Sequence, residues 1–254
     1  MALNESFILP EWPVPKNVRA LTTTRLGGVS TFPYDSFNLG SHVGDSPCHV
    51  QQNRNKLAAA CDLPSNRLQW LNQVHGTVAC EAQSDGVVRE ADACYTRIRH
   101  TVCVIMTADC LPILFCDKLG RQVAAVHAGW RGLATGVIEA TLATFPKPLN
   151  VSAWLGPAIG PSAFEVGHDV IDAFTSQSMP DDFLQLTKQA FIPHDSTHGK
   201  WLADLCLLAR IRLQLSGVTE IYGGGYCTWR DKTQFYSYRR SGVTGRMASL
   251  IWLT

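Results

Sequence analysis

Apolar residues along this chain recur with two periods, one typical of strands and one typical of helices. Short runs rich in valine, isoleucine, leucine and threonine predict strands over residues 18–24, 68–74, 101–106, 113–116, 122–127, 151–155, 218–222, 234–238 and 247–252. Longer stretches with apolar residues three and four positions apart predict helices over residues 50–61, 133–145, 166–174 and 202–215. The pattern therefore predicts a chain in which strands and helices are mixed along the whole length.

Turn and cap positions restrict the fold class further. The turn over residues 117–120 is too short to connect parallel strands, which need a long crossover, so the strands on either side are expected to form an antiparallel hairpin. Gly217 follows the helix at 202–215 in the position of a C-terminal cap, and Pro146 ends the helix at 133–145. The chain shows no repeat and no linker long enough to separate domains. Hairpins combined with longer helices favour an α+β (mixed α/β) fold in a single domain over residues 1–254, not a doubly wound parallel sheet.

Composition and charge exclude several classes of protein. The chain is 46% hydrophobic and 17% charged, which is typical of a folded protein with a sizeable core. A net charge of +1 gives no basic surface for nucleic acid or for an anionic membrane. No apolar run is long enough to span a bilayer, and residues 1–15 lack the basic and apolar regions of a signal peptide. We therefore expect a cytoplasmic protein that binds neither nucleic acid nor membranes.

The cysteines are expected to be reduced. There are nine of them, an odd number, with no CxxC pair and no secretion signal, so a disulfide framework is not expected. Eight of the nine are best explained as small hydrophobic residues of the core. Cys110 is the exception, because Asp109 precedes it and Leu111-Pro112 follows it.

Cys110 and two histidines lie where predicted strands end. Cys110 follows the strand at 101–106, His127 ends the strand at 122–127, and His75 follows the strand at 68–74. One thiolate and two imidazoles are ligands that zinc prefers, and three of them leave a fourth position open for water or substrate. Their separations match no zinc-finger spacing, so a metal site made of these residues has to be assembled by the fold.

The same residues are also compatible with other chemistry. A His2Cys set suits a type 1 copper centre, for which Met106 is the only nearby axial candidate. A multicopper oxidase is less compatible with the sequence, because no HxH pair occurs among the six remaining histidines, His42, His49, His100, His168, His194 and His198. Cys110 as nucleophile with His127 as base would form a metal-free cysteine hydrolase, which does not need His75.

Several residues around this cluster have two possible roles. Asp109 is a candidate base or ligand-orienting group, and equally a candidate for stabilising a turn. His42 is expected to be structural or an outer partner of a metal ligand. Trp130 and Phe164 are candidates for stacking on a purine or for core packing. Arginine suits phosphate and carboxylate, which makes anion-binding candidates of Arg25 beside a glycine turn, Arg131 at a helix start and the pair Arg239-Arg240.

Ordered motifs over nearly the whole chain resemble those of one family. The chain resembles the YfiH-like family, also called laccase-domain, polyphenol-oxidase-like or peptidoglycan-editing-factor proteins, in the segments Thr24-Arg25-Leu26-Gly27-Gly28-Val29-Ser30, Asn38-Leu39-Gly40, Gln73-Val74-His75-Gly76, Ala108-Asp109-Cys110-Leu111-Pro112, His127-Ala128-Gly129-Trp130-Arg131-Gly132, Leu155-Gly156-Pro157, Ser237-Tyr238-Arg239-Arg240 and Thr244-Gly245-Arg246. One departure is Ser241, where the family more often has an acidic residue.

The resemblance implies a fold, a cofactor and an activity. The fold would be a layered α/β/β/α sandwich, with zinc, less favourably copper, held by His75, Cys110 and His127, which would also be the catalytic residues. The substrate-binding residues would be Arg25, Asn38, Arg54, Arg131 and Arg240. The activity would be phosphorolysis of adenosine, inosine, guanosine and methylthioadenosine, together with deamination of adenosine.

The resemblance also leaves alternatives open. Some bacterial relatives act as editing factors that remove serine from a UDP-sugar precursor of peptidoglycan, which would make that precursor a substrate. A non-catalytic purine or metal binder is a third class. We expect purine nucleosides and phosphate as the small-molecule partners of a monomer.

Overall fold

Sixteen strands and seven helices follow one another within the residues that the computed structural model describes, 6–146, 150–176, 178–194 and 199–254. His198 and residues 1–5, part of the segment read for a signal peptide, lie outside these ranges. The strands are β1 Phe7–Ile8, β2 Val18–Thr23, β3 Leu68–Gln69, β4 Leu71–Asn72, β5 Ala79–Glu81, β6 Arg89–Glu90, β7 Ala93–Thr96, β8 Val102–Thr107, β9 Leu111–Asp117, β10 Val123–Ala128, β11 Val151–Leu155, β12 Glu165–Val166, β13 Phe191–Pro193, β14 Trp201–Ala203, β15 Glu220–Gly223 and β16 Met247–Leu253. The helices are α1 Pro47–Ala60, α2 Trp130–Thr135, α3 Val137–Leu142, α4 His168–Thr175, α5 Asp181–Gln189, α6 Leu205–Leu215 and α7 Tyr238–Ser241.

Two mixed sheets form the centre of the fold. The first sheet has five strands in the order β1-β2-β16-β8-β3, and the second has six in the order β15-β11-β9-β10-β7-β5. Two small sheets, β12-β14-β13 and β4-β6, lie beside them. Both large sheets combine antiparallel pairs with parallel pairs at their edges. The first has one parallel pair, β3 with β8, and the second has two, β11 with β15 and β5 with β7.

Alternating side chains of the strands distribute the core over three interfaces. In β8, Cys103 and Ile105 face the second sheet, whereas Val102, Val104 and Met106 pack with the apolar side of α1. The outer face of the second sheet packs on α2, α3, α4 and α6. Because side chains in a strand alternate between its two faces, a strand buried on both sides reads as a continuous apolar run. The resulting order is helix, sheet, sheet, helices, which confirms the mixed α/β fold and the α/β/β/α layering.

The hairpin β9–β10 sets up the site. It is antiparallel, as predicted, and pairs Ala128 with Leu111 and His127 with Pro112 at its open end. Cys110 directly precedes Leu111, so the thiol-bearing residue and His127 come to lie side by side.

No helix in the described part of the chain is long and apolar enough to cross a bilayer.

The predicted helices at 133–145 and 202–215 are partly wrong. The first is two helices, α2 and α3, that begin at Trp130 and are separated by Gly136 with φ 103°. In the second, residues 201–203 form β14, and the side chain of Asp204 caps α6 by accepting the N–H of Leu207. Gly217 has φ 83° and donates its N–H to the carbonyl of Gln214, so the predicted C-terminal cap is confirmed.

Two strand predictions are also corrected. The strand expected over 68–74 is divided between β3 and β4, which belong to different sheets. Residues 234–238 form no strand; they lead through a turn into the short helix α7, whose N-cap Ser237 accepts the N–H of Arg240. The buried aromatic residues Phe235 and Tyr236 gave this segment its strand-like pattern. All nine cysteines are free thiols, but Cys48 is exposed and so is not one of the core residues expected from the sequence.

Candidate functional site

His75, Cys110 and His127 form one cluster. Their ligand atoms lie within 4.8 Å of one another, and the two imidazole rings meet edge to face with centroids 4.7 Å apart. His127 is buried, Cys110 is half-buried and His75 is exposed, so the cluster opens to solvent on one side. Among the described residues, this is the one group of three that could hold a metal ion. Its donor set fits zinc, with two imidazoles and one thiol close enough to share an ion.

The segment carrying His75 is held by the buried carboxylate of Asp92. Asp92 accepts backbone N–H groups from Val74, His75 and Gly76 at 3.2, 2.9 and 2.6 Å. His75 has φ 62°, a conformation uncommon for residues other than glycine, and these hydrogen bonds support it. The same carboxylate therefore sets where the imidazole of His75 lies.

Asp92 also binds the other histidine. Its Oδ1 lies 2.7 Å from Nδ1 of His127, which leaves Nε2 of that ring for the centre of the cluster. Burial would lower the pKa of His127, but Cys110 and Asp92 outweigh it and raise the pKa to about 9. Burial lowers the pKa of His75, and the neighbouring His127 lowers it further. An outer carboxylate on a ligating histidine is the arrangement that sets ring orientation at metal sites.

Gly129 is needed for the cluster to form. A Cβ at this position would lie 2.5 Å from Nδ1 of His75 and 3.2 Å from Sγ of Cys110. Any larger residue would displace one of these side chains. Glycine at this position therefore allows the backbone after β10 to lie close to both of them.

Asp109 has a structural role. It has φ 96°, and its two carboxylate oxygens accept the hydroxyl of Thr228 and the backbone N–H of Arg239, each at 2.6 Å. These bonds join the corner that carries Cys110 to the segment leading into α7. Both oxygens are therefore occupied, which favours the turn-stabilising interpretation over that of a base.

A cavity of about 600 Å³ opens beside the cluster. Its apolar lining includes Trp130 and Phe164, the two candidates for either purine stacking or core packing, and both also pack with the core of the second sheet. Three arginines also line the cavity, Arg131, Arg239 and Arg246. A concave site with apolar walls and a few polar groups is typical of small-molecule binding. The remaining lining residues are His42, Asn72, Gln73, His75, Met106, Thr107, Ala108, Asp109, Cys110, His127, Ile159, Leu205 and Tyr238.

Arg25 and Arg240 lie outside the cavity lining. Arg25 pairs with Asp35 at 3.0 Å and lies over the ring of Tyr236. Arg240 donates from Nη1 and Nη2 to the backbone carbonyls of Thr228, Trp229 and Phe235. These contacts tie loops together and favour structural roles for both residues.

Asn38 and Arg54 are also outside the lining. Asn38 is fully buried; its amide donates to Asp45 at 2.9 Å, and its carbonyl accepts the backbone N–H of Arg246 at 2.9 Å. Arg54 donates twice to the carbonyl of Leu39 and lies 3.9 Å from the ring centroid of Trp70. Of the five residues expected to bind substrate, Arg131 alone lines the cavity.

Sequence reasoning missed three residues that shape the site. Asp92 stands between Ala91 and Ala93 at the start of an apolar strand, and an acid in that position was the available signal. Gln73 bonds both backbone groups of Met106 at 2.8 Å and so ties the His75 segment to the end of β8. Arg246, which directly precedes β16, lines the cavity.

Comparisons with known proteins agree with this fold and site. The family described as "multi-copper polyphenol oxidoreductase laccase" matches residues 19–254. The chain is 52% identical over 248 residues to a Shigella flexneri protein named "purine nucleoside phosphorylase YfiH", covering 97% of this chain and 98% of that one. It is 51% identical over 249 residues to a Pseudomonas aeruginosa protein named as a purine nucleoside phosphorylase, covering 98% of each.

Solved structures show the same similarity. A Neisseria meningitidis protein matches with a TM-score of 0.90 and 48% identity, covering 98% of this chain and 99% of that one. The Bacillus licheniformis protein YfiH matches with a TM-score of 0.90 and 29% identity, covering 99% and 98%. The chain therefore belongs to the YfiH family, whose family model is described as a multi-copper polyphenol oxidoreductase laccase.

Proposed function

We propose that this protein is a zinc-dependent purine nucleoside phosphorylase that also deaminates adenosine. The observation that carries the proposal is the His75–Cys110–His127 cluster in the wall of a cavity that also presents aromatic rings and arginines. The names of relatives about half identical to this chain support the same reaction class. The proposed substrates are adenosine, inosine, guanosine and methylthioadenosine, with phosphate as the second substrate.

The protein's own residues divide the work between binding and proton handling. Trp130, Phe164 and Ile159 offer apolar surface to a purine base, and exclude water from it. His75, Cys110 and His127 would hold the zinc. When bound, zinc would act as a Lewis acid that polarises oxygen and lowers the pKa of water.

Asp92 keeps His127 and the segment that carries His75 in position during either reaction. It holds the ring of His127 at Nδ1 and the backbone of His75, so it fixes the orientation of the first ring and the position of the second residue. In phosphorolysis, an oxygen of hydrogen phosphate bonds to C1′ of the ribose as the glycosidic bond breaks, and the base leaves with the proton that the phosphate loses. In deamination, water replaces the amino group of adenosine, giving inosine and ammonia. Phosphorolysis alone requires that the cavity also hold an anion, which its arginines favour.

Product analysis tests the proposal. Purified protein is incubated with adenosine, with and without phosphate, and the products are separated by chromatography. We expect adenine and ribose-1-phosphate only with phosphate, and inosine in both conditions. Cys110→Ala should abolish both reactions, because it removes the one ligand that is charged as a thiolate.

Two results would overturn the proposal. Equal adenine with and without phosphate, accompanied by free ribose, would mean a nucleoside hydrolase. Cleavage of serine from a UDP-sugar without any purine turnover would mean the editing hydrolase.

A second candidate, a metal-free cysteine hydrolase, is favoured by one observation. Cys110 lies beside His127, with their ligand atoms within 4.8 Å of each other, and Asp92 orients His127, which is the order of nucleophile, base and orienting acid. His75 has no role in such a triad. Hydrolysis that survives both chelation and His75→Ala, but is lost in His127→Ala, would favour this candidate.

A further inference from the structure

Arg246 projects into the cavity on the side of Cys110. It directly precedes β16, whose first residue, Met247, pairs with Thr107 at the end of β8. Cys110 is three residues further along that chain segment, and Arg246 lies within electrostatic range of it. The guanidinium therefore reaches the cavity beside the proposed catalytic cluster.

One edge of this guanidinium is free. Nη1 donates to the backbone carbonyls of Thr244 and Gly245, each at 3.1 Å. Within the described ranges, neither Nε nor Nη2 of Arg246 has a hydrogen-bond or ion-pair partner. Nε and one Nη form the fork that binds two oxygens of a carboxylate or phosphate.

This guanidinium is partly buried without a carboxylate to neutralise it. Burial lowers the pKa of Arg246, which means that the surroundings disfavour its charge. The nearby acid, Asp109, already accepts from Thr228 and Arg239. A partly desolvated cation is stabilised by an anion that brings matching oxygen acceptors.

The backbone of Arg246 is set in a rigid place. The buried Asn38 accepts its N–H at 2.9 Å and accepts the N–H of Gly40 at the same distance. Gly40 packs against the stem of Arg246, where a Cβ would lie 2.8 Å from Cγ. Such support is what a binding side chain needs to hold its geometry before the ligand arrives.

The other two cavity arginines are placed differently. Arg131 is exposed and lies 4.4 Å from the ring centroid of Trp130. Arg239 is exposed, lies 5.5 Å from the ring centroid of Phe164 and donates to the carbonyl of Glu165. Arg131 and Arg239 therefore accompany Trp130 and Phe164, whereas Arg246 lies 5.9 Å from the ring centroid of Tyr238 and within electrostatic range of Cys110.

We propose that Arg246 is the anchor of an inorganic phosphate subsite, with its Nε–Nη2 edge facing the anion. The inference rests on the proposed function, because it locates the second substrate of phosphorolysis. It assigns the binding of the anion to a residue other than the five that were expected from the sequence to bind substrate. Trp130 and Phe164, with Arg131 and Arg239, are left for the nucleoside.

The test measures phosphate binding without activity. Thermal denaturation of the zinc-loaded protein is followed in phosphate and in chloride of equal ionic strength. We expect phosphate to raise the midpoint of the wild type and of Arg230→Gln, a control whose guanidinium is exposed and lies beside Asp231. Arg246→Gln should lose this rise, and Arg246→Lys, which keeps the charge but not the fork, should keep part of it.

Kinetics give an independent measurement. In Arg246→Gln we expect the KM for phosphate to rise about 10- to 150-fold, the range for losing one charge-assisted contact. Phosphate-independent deamination should change much less, and zinc content should equal that of the wild type. If Arg246→Gln folds poorly, Arg246→Lys carries the comparison.

The outcomes separate this inference from the proposed function. Phosphorolysis with an unchanged phosphate KM in Arg246→Gln overturns the subsite and leaves the function intact. Phosphate stabilisation that depends on Arg246, without any phosphorolysis, supports the subsite and overturns the function. The absence of phosphate stabilisation in the wild type also overturns the subsite.

Discussion

At the scale of single residues, Asp92 is the link between the two histidines of the cluster. Its carboxylate is fully buried, yet it accepts four hydrogen bonds, three from backbone N–H groups and one at Nδ1 of His127. Burial would raise the pKa of Asp92, but the bonds from His127 and Gly76 outweigh it and lower the pKa. The carboxylate is therefore ionised and holds both histidines, His75 through its backbone and His127 through its ring.

Asp92→Asn should weaken zinc binding about 10- to 100-fold, the usual cost of losing an outer partner of a metal ligand. An amide has only one acceptor oxygen, so its NH2 group would face at least one of the N–H groups that now donate to Asp92. The affinity is measured by competition with a chromophoric chelator. Asp85→Asn is the matched control, because Asp85 is an exposed acid that pairs with Arg89. Equal zinc affinity in Asp92→Asn and the control would contradict the role given to Asp92.

His75→Ala should lower the zinc content of protein purified without added metal. We expect one zinc per chain in the wild type and substantially less in this variant, because two ligands hold zinc more weakly than three. Elemental analysis is the measurement, and His168→Ala, an exposed histidine on α4, is the control. Wild-type zinc content in His75→Ala would remove His75 from the site.

At the scale of elements, the break between α2 and α3 decides how the chain leaves the site. Gly136 has φ 103° and closes α2 by donating its N–H to the carbonyl of Gly132. The two short helices that result pack on the second sheet, and α2 brings Trp130 and Arg131 to the cavity. A continuous helix would carry the residues of α3 in another direction.

Gly136→Ala should therefore destabilise the protein by about 1–3 kcal/mol, because a left-handed conformation is costly for a residue with a Cβ. The space around Gly136 is sufficient, since its nearest neighbour to a Cβ would be Glu139 at 3.5 Å. Strain would thus be the cause, not a clash. Denaturant unfolding gives the free energy. Gly225→Ala is the control, with open space and no positive φ, and an equal loss in both variants would argue against the interpretation.

At the scale of the whole molecule, the two sheets bring distant segments to one cavity. β8 belongs to the first sheet and β10 to the second, and residues of both line it. The cluster needs the hairpin β9–β10, the loop after β4 and the acid before β7. Only the packed sandwich assembles these parts.

Copper-reconstituted protein should not behave as a multicopper oxidase. Within residues 6–146, 150–176, 178–194 and 199–254, one three-residue group is compatible with a metal ion, whereas a multicopper centre needs several. Oxidation of a phenol by protein loaded with several coppers is the measurement. Stoichiometric oxidation that is lost on mutating histidines outside the cluster would contradict this prediction.

The sequence by itself determined the elements whose signals are local. The strands at 18–24, 151–155 and 247–252 were predicted within one residue of their bounds, because an apolar run in a strand buried on both faces needs no partner to be recognised. The hairpin turn and the cap at Gly217 depend on neighbouring residues, and both were predicted. His75, Cys110 and His127 were singled out because a thiol and two imidazoles at strand ends are unusual in chemistry and position, and the structure brings them together.

Only the tertiary structure decided what depends on distant partners. Residues 234–238 carry a strand-like pattern but form no strand, since the buried rings of Phe235 and Tyr236 and not strand pairing made the segment apolar. Arg25, Arg54 and Arg240 were expected to bind substrate, yet they donate to Asp35, Leu39 and Thr228 and do not line the cavity. Asp92 and Arg246 reach the site through β7 and β16, and no local pattern encodes which strands become neighbours. The chemistry of a side chain is visible in the sequence, whereas its partners are set by the packing of the two sheets.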